Sequence, residues 1–309
     1  MKIHLDTDLG GDPDDACALA LLLGTPGTEL VGISTAIDRG GQRAGYVHHC
    51  LELLGRTDIP VIAGAEVELT RGRTAEPYAV PYWPRSATPR PAPRGAAHDL
   101  LLADIEADAT IVTVGPYTNL ALLERDRPGS LAQARVVVMG GWTAPPRPGL
   151  PQWGPDRDWN VQWDTSAART VAASAGELTL TTLPVTLQAH LRAADLARLR
   201  AAGAFGRLLA DQSERHAVES GKAELGPAYD GLPDDLLNFH YDPLAAAVAT
   251  GWPGARVERQ RLRTELRGET LHWVADPAGR PVDVVVDTDG PAFAAYWLDA
   301  VDRAHPARL

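Results

Sequence analysis

Short apolar runs alternate with helical segments along most of the chain. Each run ends in a polar or glycine-containing stretch, and the segment after it carries apolar residues on one side of a helix. The strands predicted from these runs are residues 2–5, 29–35, 60–63, 109–114, 134–139 and 178–182. The helices predicted between and after them are residues 14–23, 42–54, 96–105, 118–125 and 165–173. This alternation is typical of βαβ units and predicts a mainly parallel sheet.

The last third of the chain departs from this alternation. Its pattern predicts helices through about residue 249, then antiparallel strands over 257–266, 269–275 and 281–286 and a final helix over 291–304. Two long loops rich in proline, at residues 70–95 and 142–159, interrupt the earlier part. We therefore expect one α/β domain over residues 1–309, with a mainly parallel, Rossmann-like open sheet flanked by helices and a few antiparallel C-terminal strands.

Composition narrows the classes of function. The chain has 309 residues, of which 45% are hydrophobic and 22% charged, as in ordinary globular proteins. The 40 acidic and 29 basic side chains give a formal charge of −11, which disfavours a nucleic-acid surface because phosphate binding needs clustered Lys and Arg. Two cysteines, an acidic N-terminus and the lack of an apolar run of about 20 residues predict no disulfide framework, signal peptide or membrane span. We expect a reduced, cytoplasmic protein.

Five carboxylates lie within ten residues, directly after the first predicted strand. They are Asp6, Asp8, Asp12, Asp14 and Asp15. A helix start explains the last three, because Asp12 would cap the helix and the two acids after it would favour the positive end of its dipole. It does not explain Asp6 and Asp8, and like charges this close disfavour one another unless a cation intervenes. Charged oxygen ligands select Ca²⁺ or Mg²⁺, so the cluster predicts a metal site at the sheet edge where open α/β proteins bind ligands.

The run DTDLGGDPDDACAL at residues 6–19 resembles the N-terminal Asp-rich signature of the inosine-uridine nucleoside hydrolase family, with two additional residues before Asp-Asp-Ala. Further segments resemble that family in order: GISTA at 32–36, PVIAGA at 60–65, VGPYTNLAL at 114–122, VVMGG at 137–141, DWNVQWDTSAA at 158–168 and DPLAAAVA at 242–249. The resemblance implies a nucleoside hydrolase-like fold and a calcium-dependent enzyme of nucleoside salvage that cleaves the N-glycosidic bond of a ribonucleoside or related riboside. It also implies a homodimer or homotetramer.

The resemblance assigns a metal site to particular residues. It implies that Asp8, Asp15, Asp242 and the main-chain carbonyl of Val114 bind Ca²⁺, while Asp6 supports the loop from behind. It further implies that Asp8 is the base that activates a Ca²⁺-bound water. Cleavage of an N-glycosidic bond passes through an oxocarbenium-like transition state, which nearby carboxylates stabilise.

Four side chains are expected to bind the sugar. By resemblance, Asp14 binds ribose hydroxyls and Asn160 corresponds to the family asparagine that reaches the sugar. Asp158 stands where a glutamate is usual, and a shorter acid still accepts a hydroxyl hydrogen bond. Asp38 follows the second strand where the family has Gly-Asn, so it is expected to serve the sugar in place of that asparagine, with Arg39 beside it as a candidate contact to a substrate anion.

The sequence departs from the family where the leaving group should lie. The family commonly has histidine before the last metal-binding aspartate, whereas here Tyr241 holds that position and His240 lies one residue upstream. Either is a candidate to assist departure of the base, although tyrosine is a weaker acid than histidine. Trp142, Trp153 and Trp159 of the second long loop either stack on the nucleobase or pack the loop itself.

Two other functions remain as alternatives. The first is a metal-dependent protein that binds a nucleoside or ribose without turnover, which would be consistent with tyrosine in place of histidine at position 241. A haloacid-dehalogenase-like phosphatase would also place Asp-x-Asp after a strand, but it leaves Asp14, Asp15 and the GPYTNLAL segment unexplained. The chain has no G-x-x-x-x-G-K-[ST] motif, so a kinase of that type is not expected.

Overall fold

The computed structural model describes residues 1–74 and 87–305. Its strands are β1 (Lys2–Thr7), β2 (Glu29–Thr35), β3 (Val61–Ala63), β4 (Thr110–Thr113), β5 (Arg135–Met139), β6 (Glu177–Thr181), β7 (His190–Arg192), β8 (Leu236–Phe239), β9 (Ala255–Arg267), β10 (Thr270–Ala275) and β11 (Arg280–Thr288). Its helices are α1 (Asp14–Gly24), α2 (Gln42–Leu53), α3 (Ala96–Glu106), α4 (Thr118–Asp126), α5 (Trp159–Trp163), α6 (Thr165–Ser174), α7 (Leu183–Thr186), α8 (Leu196–Ala201), α9 (Gly203–Glu219), α10 (Leu225–Ala228), α11 (Tyr241–Ala249) and α12 (Gly290–Ala304).

Within these ranges, nine strands form one sheet in the order β10-β9-β11-β6-β5-β4-β1-β2-β3. Neighbours from β11 to β3 pair in parallel, and β9 pairs antiparallel with both β11 and β10. In β1, Leu5 lies opposite Ile33 of β2 on one side and Val112 of β4 on the other. From β1 the chain runs to β2 and β3 on one side and then returns to β4 on the other. This change of direction makes the carboxyl end of β1 a topological switch point, where a ligand crevice forms.

Two apolar cores cover the two faces of the sheet. On β5, Val136 and Val138 enter one core, and Val137 and Met139 enter the other, because successive side chains of a strand point to opposite faces. The first core includes α3, α4 and α6, and the second includes α1, α11 and α12. Burial on both faces explains why these strands are continuous apolar runs in the sequence.

The predicted fold class is confirmed, and the predicted strands and helices begin and end within two residues of the observed ones. The prediction of helices alone before residue 249 was wrong, because β7 and β8 form a separate antiparallel pair there. The 142–159 loop is also shorter than predicted, since α5 begins at Trp159. Part of the predicted 70–95 loop, residues 75–86, lies outside the described residues. Among the described helices, none has the length and apolar character needed to cross a bilayer.

Candidate active site

A cavity of about 450 Å³ opens at the carboxyl edge of the sheet, beside the starts of α1 and α11. Among the described residues, six carboxylates line it: Asp8, Asp12, Asp14, Asp15, Asp158 and Asp242. Val114, Asn160 and Tyr241 line the same cavity. Of the residues predicted to bind the metal, bind the sugar or take part in catalysis, the structure therefore brings together all except Asp38 and His240.

Asp14, Asp15 and Asp242 form a compact cluster of buried carboxylates. One oxygen of each lies within 4.8 Å of the corresponding oxygens of the other two. Burial and then the neighbouring negative charges raise the pKa of each of these carboxyls well above its usual range. Asp8 is among the charges that raise the pKa of Asp15 and Asp242, so it faces the same cluster. A bound divalent cation would relieve this repulsion, and an all-oxygen donor set is the one that Ca²⁺ and Mg²⁺ prefer.

Asp8 follows β1 directly and is held by three neighbours. Gly115, after β4, approaches so closely that a Cβ there would lie 2.9 Å from Asp8 Oδ1. Arg43 of α2 donates a hydrogen bond to the Asp8 carbonyl oxygen, and the Trp159 side chain donates one to the Asp8 carboxylate. Burial raises the pKa of the Asp8 carboxyl, while the charge of Arg43 and the bond from Trp159 oppose that rise. A buried carboxylate with a raised pKa has the basicity that a general base requires.

Asp6 lies beneath this site and ties the strand ends together. Its carboxylate accepts hydrogen bonds from Ser34 Oγ at 2.5 Å, Thr113 Oγ1 at 2.8 Å and Asn119 Nδ2 at 2.7 Å. These donors come from β2, β4 and α4, so a single buried carboxylate links three elements around β1. Asp6 is not part of the cavity lining, and this is the supporting position expected for it.

Asn119 completes this support, and its loss should destabilise the fold. Its side chain donates to the Thr35 carbonyl at 2.9 Å and accepts from the Ala65 N–H at 2.8 Å, besides its bond to Asp6. Replacing it with alanine leaves buried partners unsatisfied, at about 1–3 kcal/mol each. We expect Asn119→Ala to lower the free energy of unfolding by about 3–5 kcal/mol in urea denaturation, with exposed Gln133→Ala within about 0.5 kcal/mol of the unmutated protein. A loss below about 1 kcal/mol would show that these bonds contribute little.

The start of α5 places two of the predicted sugar-binding residues. The Asp158 carboxylate caps the helix by accepting from Val161 N–H at 3.2 Å, and it also accepts from Gly141 N–H at 2.6 Å. Asn160 Nδ2 donates to the Val114 carbonyl oxygen at 2.7 Å. Two residues predicted separately from different segments, Asn160 and Val114, are therefore in direct contact.

Asp38 does not line the cavity, in contrast to its predicted role at the sugar. Both of its carboxylate oxygens are used in the turn before α2: they accept from Thr35 Oγ1 at 2.6 Å and from the N–H groups of Arg43 and Ala44 at 2.8 and 3.0 Å. Asp38 therefore satisfies backbone donors at the helix start. Arg39 is exposed and does not line the cavity either.

His240 is likewise absent from the cavity lining. Its ring is buried against Trp297 and Phe293, with ring centroids 4.5 and 5.4 Å apart. Burial lowers the pKa of His240 to about 3, so its imidazole is neutral at physiological pH. Consecutive helical residues point about 100° apart, and at the start of α11 it is Tyr241 that faces the cavity. Of the two candidates for assisting the leaving group, the structure places only Tyr241 there.

The tryptophans of the long loop divide between the two predicted roles. Trp153 and Trp159 line the cavity, and Trp159 is 56% exposed. Trp142 packs the loop instead, because its indole N–H donates to the Trp153 carbonyl oxygen at 3.0 Å. The loop therefore supplies two aromatic surfaces to the cavity and supports one of them from behind.

Three basic residues that line the cavity, within the described part of the chain, were not predicted from the sequence. They are Arg43, Arg157 and Lys222. Only Lys222 had a signal in the sequence, because it is one of two lysines among 29 Lys and Arg residues. A chain that uses arginine almost throughout has a lysine at this position.

The parallel sheet and the carboxylate-lined cavity at its switch point define an α/β protein whose site suits a cation. The family model described as "Inosine-uridine preferring nucleoside hydrolase" matches residues 3–295. The pyrimidine-specific ribonucleoside hydrolase RihA of Salmonella agona (strain SL483) is 35% identical over 214 residues, which cover 66% of this chain and 67% of that protein.

Solved structures agree in fold. The plant nucleoside hydrolase PpNRh1 has a TM-score of 0.80 at 22% identity and covers 97% of this chain and 98% of its own. A purine-preferring ribonucleoside hydrolase from Gardnerella vaginalis has a TM-score of 0.79 at 24% identity and covers 99% and 100%. The chain belongs to the inosine-uridine preferring nucleoside hydrolase family and is a hydrolase that acts on N-glycosyl bonds. The predicted family and enzyme class are confirmed, and the phosphatase alternative has no support.

Proposed function

We propose that this protein hydrolyses the N-glycosidic bond of ribonucleosides with Ca²⁺ as its cofactor. The observation that carries this proposal is the convergence of buried carboxylates from the two ends of the chain on one cavity. Asp8, Asp15, Asp242 and the Val114 carbonyl would hold the ion. The compact cluster contains Asp14 rather than Asp8, but Ca²⁺ takes six to eight oxygens, so both fit around one ion. When bound, the ion would chelate sugar hydroxyls and lower the pKa of a water.

Asp8 acts as the base in this proposal. Its carboxylate takes a proton from the attacking water, whose oxygen forms the new bond to the sugar carbon as the bond to the base nitrogen breaks. The raised pKa of the Asp8 carboxyl increases its proton affinity, and the neighbouring Gly115 and Arg43 fix its position. Positioned proton transfer of this kind contributes about 10²–10⁴-fold to a rate.

Asp14, Asp158 and Asn160 bind the sugar. All three line the cavity, and their oxygens accept hydrogen bonds from hydroxyl groups. The sugar becomes positively charged as the base departs, and fixed negative charges around it stabilise that state more than the neutral substrate. A site built to pair sugar hydroxyls should also reject ribosides that lack them.

The pH profile should show the ionisation of Asp158. Burial raises the pKa of its carboxyl to about 6, although the N–H groups of Gly141 and Val161 favour the charged form. The ionised form accepts hydrogen bonds and stabilises positive charge, so kcat/KM should decline as the pH falls through about 6. In Asp158→Asn, which is neutral at every pH, we expect a lower kcat/KM that lacks the step near pH 6, as measured from pH 5 to 8 on uridine; a decline at lower pH would come from the other carboxylates, such as Asp8. An unchanged acid limb in the variant would assign the ionisation to another group.

Tyr241 donates a hydrogen bond to the departing base. It is the residue of the predicted leaving-group pair that lines the cavity. Removing the hydroxyl in Tyr241→Phe should lower kcat on uridine by about 10-fold or more and change KM little, because the bond is made chiefly in the transition state. Steady-state kinetics test this, with His240→Phe as the neighbouring comparison that should keep its kcat. Loss of kcat in His240→Phe alone would reverse the assignment.

The identity of the base and the assembly are further parts of the proposal. Identity of 35% to a pyrimidine-specific hydrolase leads us to propose a pyrimidine ribonucleoside such as uridine as the substrate. We also propose a cytoplasmic enzyme of nucleoside salvage that forms a homodimer or homotetramer, which light scattering on purified protein would measure.

Release of reducing sugar tests the proposed function. Purine, pyrimidine and nicotinamide ribosides are incubated with the enzyme in Ca²⁺ and again after chelation. Release that requires Ca²⁺ supports the proposal and identifies the leaving group. Tight binding of ribosides without release would favour the non-catalytic alternative, for which the replacement of histidine by Tyr241 is the supporting observation.

A further inference from the structure

Two of the three cations at the cavity are not buried beside Tyr241. Arg43 lies at the end of the cavity where Asp8 is proposed to activate water. Its side chain donates there to two main-chain oxygens, the Asp8 carbonyl and, from Nε at 3.1 Å, the Ile37 carbonyl. Arg157 is exposed, with its guanidinium 5.7 Å from the centroid of the Trp153 ring. The positive charge of Arg157 does act on Tyr241, where the base is expected to leave, and it favours a lower pKa of that hydroxyl; its guanidinium is exposed, however, so solvent screens it.

Lys222 is the cation beside Tyr241. It follows α9 through Gly221, whose φ of +72° turns the chain back toward the cavity. Its Nζ lies 4.7 Å from the centroid of the Tyr241 ring, and its side chain is only 12% exposed. Nζ forms an ion pair with Asp12 and donates to Asn238 Oδ1 at 2.6 Å. Lys222 is thus a nearly buried ammonium held at the leaving-group end.

Asp12 and Asn238 fix this ammonium from two sides. Asn238 Nδ2 donates to Asp12, so the three side chains contact one another in a closed triangle, and His216 Nε2 lies 3.1 Å from the same carboxylate. An ammonium has three N–H donors, and Asp12 and Asn238 take two of those of Lys222 within the described ranges. Because Lys222 also lines the cavity, a group bound there can accept the third. Capping of α1 does not account for this triangle, because at the start of that helix Asp12 accepts a single 3.3 Å bond, from Asp14 N.

We infer that Lys222 is a catalytic residue that donates a hydrogen bond to the departing base, and that Asp12 and Asn238 are positioning residues for its ammonium. The inference rests on the proposed function, since it concerns the leaving group of that reaction. It explains how the enzyme can work with Tyr241 where its family commonly has histidine: a fixed positive charge stabilises the base as it leaves.

The atoms and electrons of this step balance without a further reagent. The bond between the sugar carbon and the base nitrogen breaks, and its electron pair passes to the base. The water oxygen bonds to the carbon, and the proton it loses passes to Asp8 and then to solvent. Negative charge on the base spreads to its ring nitrogens and carbonyl oxygens, where the Lys222 N–H stabilises it more than in the neutral substrate. The released base takes its proton from water.

The inference also defines a substrate class. Ribosides suit the site when the base carries a carbonyl oxygen or ring nitrogen and leaves with negative charge, as uracil and hypoxanthine do. Nicotinamide riboside suits it poorly, because its leaving group is already cationic in the substrate and would face the ammonium.

Comparison of two leaving groups tests this role. Steady-state kinetics in Ca²⁺ are measured on uridine and on 4-nitrophenyl riboside, whose 4-nitrophenolate departs without assistance. We expect Lys222→Met to lower kcat on uridine by about 10²-fold and on 4-nitrophenyl riboside by less than about threefold. Lys222→Arg should recover part of the loss on uridine. Lys2→Met, at the other and exposed lysine, should match the unmutated enzyme on both substrates.

The difference between the losses of kcat on the two substrates distinguishes a catalytic role of Lys222 from a structural one. An equal loss on both would show that Lys222 only holds the segment after α9, and no loss on either would show that it does not assist the base; each result overturns the inference. If the unmutated enzyme releases sugar from neither substrate, the proposed function fails first, before any variant is compared.

Discussion

Asparagine in place of Asp8 is expected to reduce kcat/KM on uridine by about 10³-fold or more. The amide keeps the size of the side chain, but it cannot take a proton from water and carries no charge for a cation or for the developing positive sugar. The Asp8 carboxylate is desolvated in the folded protein, so neutralising it removes a cost of folding. We therefore expect the free energy of unfolding of the Ca²⁺-free protein to stay the same or rise, while activity in Ca²⁺ is lost.

Kinetics in Ca²⁺ and urea denaturation of the same preparation after chelation separate these two effects. Asp58→Asn is the matched control, because Asp58 is exposed and pairs with Arg56 at the surface. It should keep both activity and stability. Activity of Asp8→Asn within about tenfold of the unmutated enzyme would remove Asp8 from the role of base and direct attention to Asp14 and Asp15.

The regular elements were predictable because burial on both faces leaves a strong signal. Strands such as β5 are apolar at every buried position, and the helices after them have one apolar side. The pair β7 and β8 left no such signal, since its strands have only three and four residues and contain polar His190 and Asn238. The parallel pairing of β11 with β6 was also not predicted, because it joins segments about a hundred residues apart without a sequence mark.

The acidic half of the site was predictable for a different reason. Asp8, Asp14 and Asp15 lie close in sequence, at a strand end and the following helix start, so local geometry alone brings them together. Asp242 needed the family resemblance. Lys222 reaches the cavity next to Asp12, which is about two hundred residues away in sequence. No local sequence pattern indicates where the end of such a long side chain lies.

Asp38 and His240 are the two predicted site residues that do not line the cavity, and the reason is the same for both. Sequence position predicted which loop each residue occupies, but not which way its side chain turns. The oxygens of Asp38 are taken up by backbone donors of α2, and the ring of His240 fills space against α12. Both are buried polar residues beside residues that do line the cavity, Arg43 and Tyr241 respectively. Side-chain packing in the folded protein determines which of these residues reach the cavity.

Removal of Ca²⁺ should affect stability as well as activity. The cluster of Asp14, Asp15 and Asp242 is buried, and each carboxylate raises the cost of ionising the others. An ion bound to the folded state alone adds about 3 kcal/mol when its concentration is a hundred times Kd. We therefore expect Ca²⁺ to raise Tm by several degrees and chelation to reverse the rise and abolish sugar release. Differential scanning calorimetry with and without chelator measures this.

Asp242→Asn makes this prediction specific to the site. The neutral amide removes a charged ligand, so the rise in Tm with Ca²⁺ should disappear. It also removes one of three repelling buried charges, so the chelated variant should unfold no lower than the chelated unmutated protein. The Asp58→Asn control should keep the full response to Ca²⁺. A rise in Tm that persists in Asp242→Asn would place the ion elsewhere, whereas its loss together with activity would tie both effects to the carboxylate cluster.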